Sequence, residues 1–283
     1  MQMHKFCGLM GFAALLLSCQ PQGSLLNAPE DANSIIGGTT VTAGEFPFAV
    51  NIWYNSPKDN YVAHLCGASL IDKKWVLTAA HCVLEDDTES SMKIVSASKL
   101  DLYLGSLAHS GAGGRKLKIK SISVHPKFSW PQHDVALIEL AEAVTDVAPV
   151  ALNNKDLGAS TDSATVIGWG LMDAQGTTES ESLQKVTLSL VPRSLCAQDE
   201  FPRSKEIAVG NEMLCAQTSH HQMSSCPGDS GGPLLQMNAG KPVQIGIVSW
   251  GSACSGNRSK IDSSVAGYAD VSDAYDWIQK TIK

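Results

Sequence analysis

The sequence predicts an all-β protein, a barrel or a sandwich, followed by one C-terminal helix. Two observations carry the β assignment and a third carries the helix. From Ile35 onward, short runs rich in β-branched and apolar residues recur between Gly and Pro breaks: "FPFAVNIWY", "ASLIDKKWVLTAA", "KLDLYLG", "KLKIKSISV", "DVALIEL", "ATVIGWG", "LQKVTLSLV" and "VQIGIVSWG". Many of these runs alternate apolar and polar residues, as strands with one buried face do. Only "SDAYDWIQKTIK" carries a helical period, with Ala274, Trp277, Ile278 and Ile282 on one stripe. Acids stand in its first turn, and Ser272 is placed to cap its N-terminus.

Composition fits that class. The chain has 283 residues, 43% hydrophobic and 17% charged, enough apolar material for a real core. Its formal net charge is -7 and no Lys/Arg block occurs, so it lacks the electrostatic footprint of a nucleic-acid binder. "EDDTES" from Glu85 reads as a solvated loop without metal-ligand spacing, and "AHSGAGGRK" as a glycine-rich loop. His220 and His221 read as exposed loop histidines.

The N-terminus differs in kind. An apolar run from about Phe6 to Leu17 is too short to span a bilayer and has the size of a signal-peptide core. Its end, "LLSC", resembles the bacterial lipobox, in which the chain is cut before the cysteine and the thiol carries a lipid. An ordinary secretory signal that contains a cysteine is the alternative. The expected organisation is a signal peptide over 1–18, a linker or pro-segment over 19–34 and a folded domain over 35–283. Eight cysteines are present. Cys7 would leave with the signal, and Cys66, Cys82, Cys196, Cys215, Cys226 and Cys254 form an even set. Cys19 is then the odd one, and lipidation would account for it. Paired cysteines imply an oxidising compartment, while their connectivity stays open from sequence.

The chemistry is concentrated in "SSCPGDSGGP", Ser224 to Pro233. A phosphate-binding loop would need a lysine at a spacing that is missing here. A plain turn would leave two other segments unexplained: "LTAAHC" sets His81 at the end of one apolar run, and "HDVALIEL" sets Asp134 at the start of another. His81, Asp134 and Ser230 together supply a base, an acid and a nucleophile. A serine hydroxyl needs such a base to become reactive near neutral pH, and the base needs an orienting partner.

These segments resemble the chymotrypsin-fold, trypsin-like serine proteases. The resemblance rests on "IIGG" at Ile35, "HLCGASLIDKKWVLTAAHC" at His64, "DVALIEL" at Asp134, "GWG" at Gly168, "CPGDSGGP" at Cys226 and "VSWG" at Val248, in order across 35–283. It implies two six-stranded antiparallel β-barrels with a C-terminal α-helix, and a serine endopeptidase with His81, Asp134 and Ser230 as its triad. The backbone N–H groups of Gly228 and Ser230 would form the oxyanion hole. Asp229 would pair with the α-ammonium of Ile35 after the pro-segment is cut. Ser34 precedes that bond where the family commonly has a basic residue, so trypsin is not expected to cut there. The implied disulfides are Cys66–Cys82, Cys196–Cys215 and Cys226–Cys254.

The same resemblance puts Ser224 at the base of the specificity pocket and Gly251 and Ala266 on its walls. Serine at the base offers no carboxylate to a Lys or Arg side chain, so an apolar P1 residue is expected. Pro227, at the pocket lip, departs from the polar or flexible residue expected there. Ser249, Trp250 and Gly251 match the segment that pairs with substrate backbone as an added strand. No cofactor or metal is expected; the loop that binds calcium in some relatives carries no acids here. The expected partners are protein or peptide substrates, with no nucleic acid, on a monomer that is exported and either secreted or lipid-anchored at the envelope through Cys19. A catalytically silent binding protein on the same fold is the alternative, although such relatives usually lose a triad member. An esterase would reuse the triad.

Overall fold

The computed structural model describes residues 38–56, 61–85, 92–158, 160–171, 179–196, 209–217, 228–251 and 265–283, with backbone alone at 61, 195 and 196. In chain order the strands are β1 (Thr39–Thr40), β2 (Ala49–Ser56), β3 (Tyr61–Asp72), β4 (Trp75–Thr78), β5 (Leu100–Leu104), β6 (Arg115–Leu117), β7 (Ile119–Val124), β8 (Ala136–Leu140), β9 (Ala151–Leu152), β10 (Ser163–Gly168) and β11 (Gln184–Val191). A short helix α1 (Arg193–Cys196) follows, then β12 (Met213–Gln217), β13 (Pro233–Asn238), β14 (Lys241–Gly251), β15 (Ala266–Asp270) and the C-terminal helix α2 (Val271–Thr281).

Two sheets result. In the first half the order is β6-β5-β2-β3-β4-β8-β7. Its two end strands are consecutive in the chain, with only Lys118 between them, so one bent stretch borders both ends of the sheet. In the second half β11, β10, β13, β14, β15 and β12 follow in order, and β12 pairs back onto β11 to close a six-stranded barrel. The two-barrel, all-β expectation with one C-terminal helix is met.

Alternation makes the barrels. β5 buries Leu100, Leu102 and Leu104 and turns Asp101 and Tyr103 outward. β11 buries Gln184, Val186, Leu188 and Leu190 in the same way. Other strands, β12 and β15 among them, do not alternate. β15, "AGYAD", is buried at every position, with β14 on one side and β12 on the other. β13 follows directly on the glycine-rich turn.

The α2 cap differs from expectation. Asp270, not Ser272, is the N-cap: its carboxylate accepts from the Ser272 N–H at 2.8 Å and from the Ser272 hydroxyl at 2.7 Å. Asp270 also receives Arg193 Nη2 at 2.9 Å. Burial, the largest influence, still pushes its pKa up to about 6 despite these bonds. Sequence pattern favoured Ser272 because Asp270 ends a buried strand, and strand and cap overlap there.

Candidate active site

His81 and Asp134 are brought together by strand pairing. β4 and β8 are antiparallel neighbours, with Thr78 opposite Ala136. His81 lies just beyond the end of β4, in a 3-10 turn over His81–Val83, and Asp134 just before the start of β8. Both therefore emerge from the same end of one strand pair.

Asp134 is fully buried. Its carboxylate accepts from the His81 backbone N–H at 3.0 Å, contacts His81 Nδ1 at 2.7 Å, and accepts from the Ser249 hydroxyl at 2.6 Å. Burial by itself would raise its pKa. The neighbouring His81 charge and these hydrogen bonds outweigh burial and hold it below the ordinary carboxylate value. An ionised Asp134 fixes the proton of His81 on Nδ1 and leaves Nε2 as the basic nitrogen. That nitrogen lies 3.7 Å from Cys82 Sγ.

Ser230 sits in a turn pinned to both barrels. Its carbonyl accepts from Gly67 N–H of β3 at 2.8 Å, and the next residue, Gly231, donates to Val248 of β14 at 2.8 Å. Gly232 donates to Asp229 across the turn at 2.9 Å. Glycine at 231 is dictated by space: a methyl there would lie 2.2 Å from Thr78 Oγ1 and 3.1 Å from Cys82 Sγ, the same sulfur that neighbours His81 Nε2. The turn that carries Ser230 is thus packed, at Gly231, against Thr78 and the Cys82 sulfur. Gly228 has φ +95°, a conformation that glycine adopts freely. Neither the Gly228 nor the Ser230 N–H donates to an acceptor among the described residues.

Asp229 is buried, and its Oδ1 accepts from Gly170 N–H at 2.8 Å. Gly168 and Gly170 leave room for this carboxylate: a methyl on either would come within 2.0 Å and 2.6 Å of it. That is the physical content of the "GWG" motif. The intervening Trp169 donates its indole N–H to the Leu107 carbonyl at 3.1 Å. Behind the turn, Trp53, His64, His109 and Trp169 form an aromatic cluster, with the His64 and His109 rings 4.6 Å apart. Burial, and then the charge of His109, depress the His64 pKa to about 3, so the ring is neutral.

Ser249 has a contact that the sequence did not reveal. Its main chain is expected to meet substrate backbone, and its hydroxyl donates to Asp134. Only its place before Trp250 marks it in sequence. Gly251 and Ala266 are directly paired partners of β14 and β15. The β13 ladder along β14 stops at Ile247, where Val248 exchanges bonds with Gly231 and Gly232. Beyond that point β15 is the strand that flanks β14 among the described residues. Cys66 and Cys82 form a disulfide, and Cys215 is disulfide-bonded too. The sulfurs of Cys66 and Cys82 and a ring nitrogen of His81 cluster as metal ligands can, but sulfurs in a disulfide are not thiolate ligands. The segment 1–34 with Cys19, and Ile35, His220, His221, Ser224, Cys226, Pro227 and Cys254, lie outside the described residues, as does the Cys196 side chain.

A buried carboxylate, an imidazole in contact with it and a serine in a glycine-rich turn pinned to both barrels are the groups this region of the fold presents. The trypsin family model matches residues 35–278. The chain is 32% identical over 252 residues to "Trypsin-1" of Astacus astacus, covering 87% of this chain and 98% of that protein. It is 32% identical over 242 residues to "Serine protease 28" of Mus musculus, 82% of this chain and 85% of that one. "Trypsin 5G1" of Aedes aegypti is 32% identical over 262 residues, 90% of this chain and 87% of that one. This chain belongs to the trypsin family and is a serine endopeptidase acting on peptide or protein substrates. No helix among the described residues is long and apolar enough to cross a membrane.

Proposed function

We propose that the endopeptidase works through His81, Asp134 and Ser230. The observation that carries this reading is the 2.7 Å contact between His81 Nδ1 and the fully buried, hydrogen-bonded Asp134 carboxylate. Ser230 Oγ attacks the scissile carbonyl carbon while its proton passes to His81 Nε2. The carbonyl oxygen, now negative, is held by the N–H groups of Gly228 and Ser230. His81 then gives the proton to the leaving amine as the C–N bond breaks, and water releases the acyl group by the reverse sequence. Ile35, freed as an α-ammonium, pairs with Asp229 and locks the 228–230 turn.

Specificity falls on an apolar P1 residue, because Ser224 offers no charge at the pocket base, and the methyl of Ala266 narrows the slot against the largest rings. Substrate backbone adds along Ser249, Trp250 and Gly251. The remaining cysteines pair as Cys196–Cys215 and Cys226–Cys254. The enzyme is exported after removal of 1–18, carries lipid on Cys19, acts as a monomer and is activated at Ile35.

The test is a panel of Suc-Ala-Ala-Pro-Xaa amide substrates on protein beginning at Ile35. Leu, Met and Phe should outrun Lys and Arg, Ser224→Asp should invert that order, and Ser230→Ala should abolish turnover. Full activity in Ser230→Ala would end the nucleophile assignment. Intact mass of the membrane-purified protein reads the lipid on Cys19.

A further inference from the structure

Asp134 is approached through a residue in a costly backbone conformation. His133 has φ +47°, in the left-handed region that a residue with a Cβ avoids. Such a conformation persists only where the surroundings over-determine it. The His133 carbonyl accepts from Val135 N–H at 2.8 Å, closing a tight turn around Asp134. Its Nδ1 lies 3.0 Å from Asp273 Oδ2. Its ring stacks on His125, with centroids 4.8 Å apart and planes at 21°.

His125 is held in its turn. Its backbone N–H donates to Val135 at 3.0 Å, and its Nδ1 accepts from Lys127 N–H at 3.3 Å. Trp277 meets it edge-on at 4.9 Å. Asp273 and Trp277 are four residues apart on α2 and so share one face of that helix. The Asp270 cap fixes where the helix begins. The charged and titratable groups facing His133 are thus His125 on its own half of the chain, with Lys127 beyond it, and Asp273 from α2.

We propose that α2 is a strut for the base-orienting acid: Asp273 and Trp277 clamp the His133–His125 stack and thereby set the turn from which Asp134 reaches His81 and Ser249. His133 and Asp273 are positioning residues that touch no substrate. The proposal rests on Asp134 being the partner of the catalytic base.

The experiment measures kcat, KM and the pH profile of kcat/KM for Asp273→Ala, Asp273→Glu and His133→Asn. Asparagine tolerates the left-handed conformation, so His133→Asn removes the stack and the imidazole contact with Asp273 without forcing the turn to refold. In Asp273→Ala, kcat should fall about 5-fold or more with KM within about 2-fold, the pattern of lost transition-state stabilisation. The acid limb of the profile, which reports His81, should move to lower pH as the Asp134 carboxylate drifts from the ring. His133→Asn should do the same, and Asp273→Glu should recover most of the loss. If both Asp273→Ala and His133→Asn keep the wild-type kcat and acid limb, even with a lowered Tm, the strut is rejected. If Asp273→Ala does not fold, His133→Asn alone decides. Failure of the underlying reading looks different: His81→Ala and Asp134→Asn would then retain activity.

Discussion

Removing the Ser249 hydroxyl tests the electrostatics of the site directly. In Ser249→Ala the buried Asp134 loses the 2.6 Å bond to one oxygen and keeps the His81 backbone and ring contacts. A hydrogen bond to a charged group contributes about 1.5–3 kcal/mol, and a buried carboxylate has no water to replace it. The hydroxyl favours the ionised form, so the Asp134 pKa should rise. The folded-state pKa of Asp134 is below its ordinary 3.8. Its stabilising contribution is therefore present above the unfolded value and is lost as pH falls through the folded one. Ser249→Ala should be less stable than wild type by about 1.5–3 kcal/mol near neutral pH, with the gap closing once the carboxyl is protonated in both proteins. If about half of that energy is also lost from the imidazolium form of His81, kcat/KM falls about 4- to 12-fold. Urea unfolding at neutral and acid pH, beside turnover of one apolar substrate, reads both quantities. A stability gap that is the same at both pH values, together with kcat/KM within about twofold of wild type, would refute the reasoning.

Gly231→Ala and Gly240→Ala form a matched pair. Their φ values are +76° and +77°, but a methyl at 231 meets Thr78 Oγ1 at 2.2 Å and Gly67 O at 2.5 Å, whereas one at 240 meets nothing within 4 Å. Gly240→Ala should cost about 1 kcal/mol and leave activity intact. Gly231→Ala should cost several times more and abolish activity; equal Tm shifts would show that the turn is not packed as described. The depressed His64 pKa makes a prediction with a definite sign. Its folded value, about 3, lies below the unfolded 6.5, so its contribution is complete above 6.5 and is lost as pH falls from there towards 3. His64→Phe keeps an aromatic ring beside Trp53 and Trp169 and should flatten acid destabilisation by about 1 kcal/mol per pH unit in that window. An unchanged slope would show that the imidazole is not held neutral.

Much of this protein was legible in its sequence. The alternating strands β5 and β11 could be read because a sheet with one buried face writes a period of two into the chain. His81, Asp134 and Ser230 could be picked out because each stands in a distinctive local context. Other features left no such trace. β15 is buried on every residue, so its pattern cannot alternate. Asp270 was hidden as a cap because it closes that strand.

The sequence by itself determined the all-β class, the approximate place of strands such as β5, β8, β10 and β11, and the three residues of the candidate triad, because these follow from short-range periodicity and residue chemistry. The tertiary structure alone decided that the Ser249 hydroxyl reaches Asp134 across 115 residues of chain. It alone decided that Gly168 and Gly170 make space for the Asp229 carboxylate, and that a histidine beside Asp134 leans on the last helix. Such contacts join strands that meet only when the barrels close, and a local pattern holds no record of what lies across the fold.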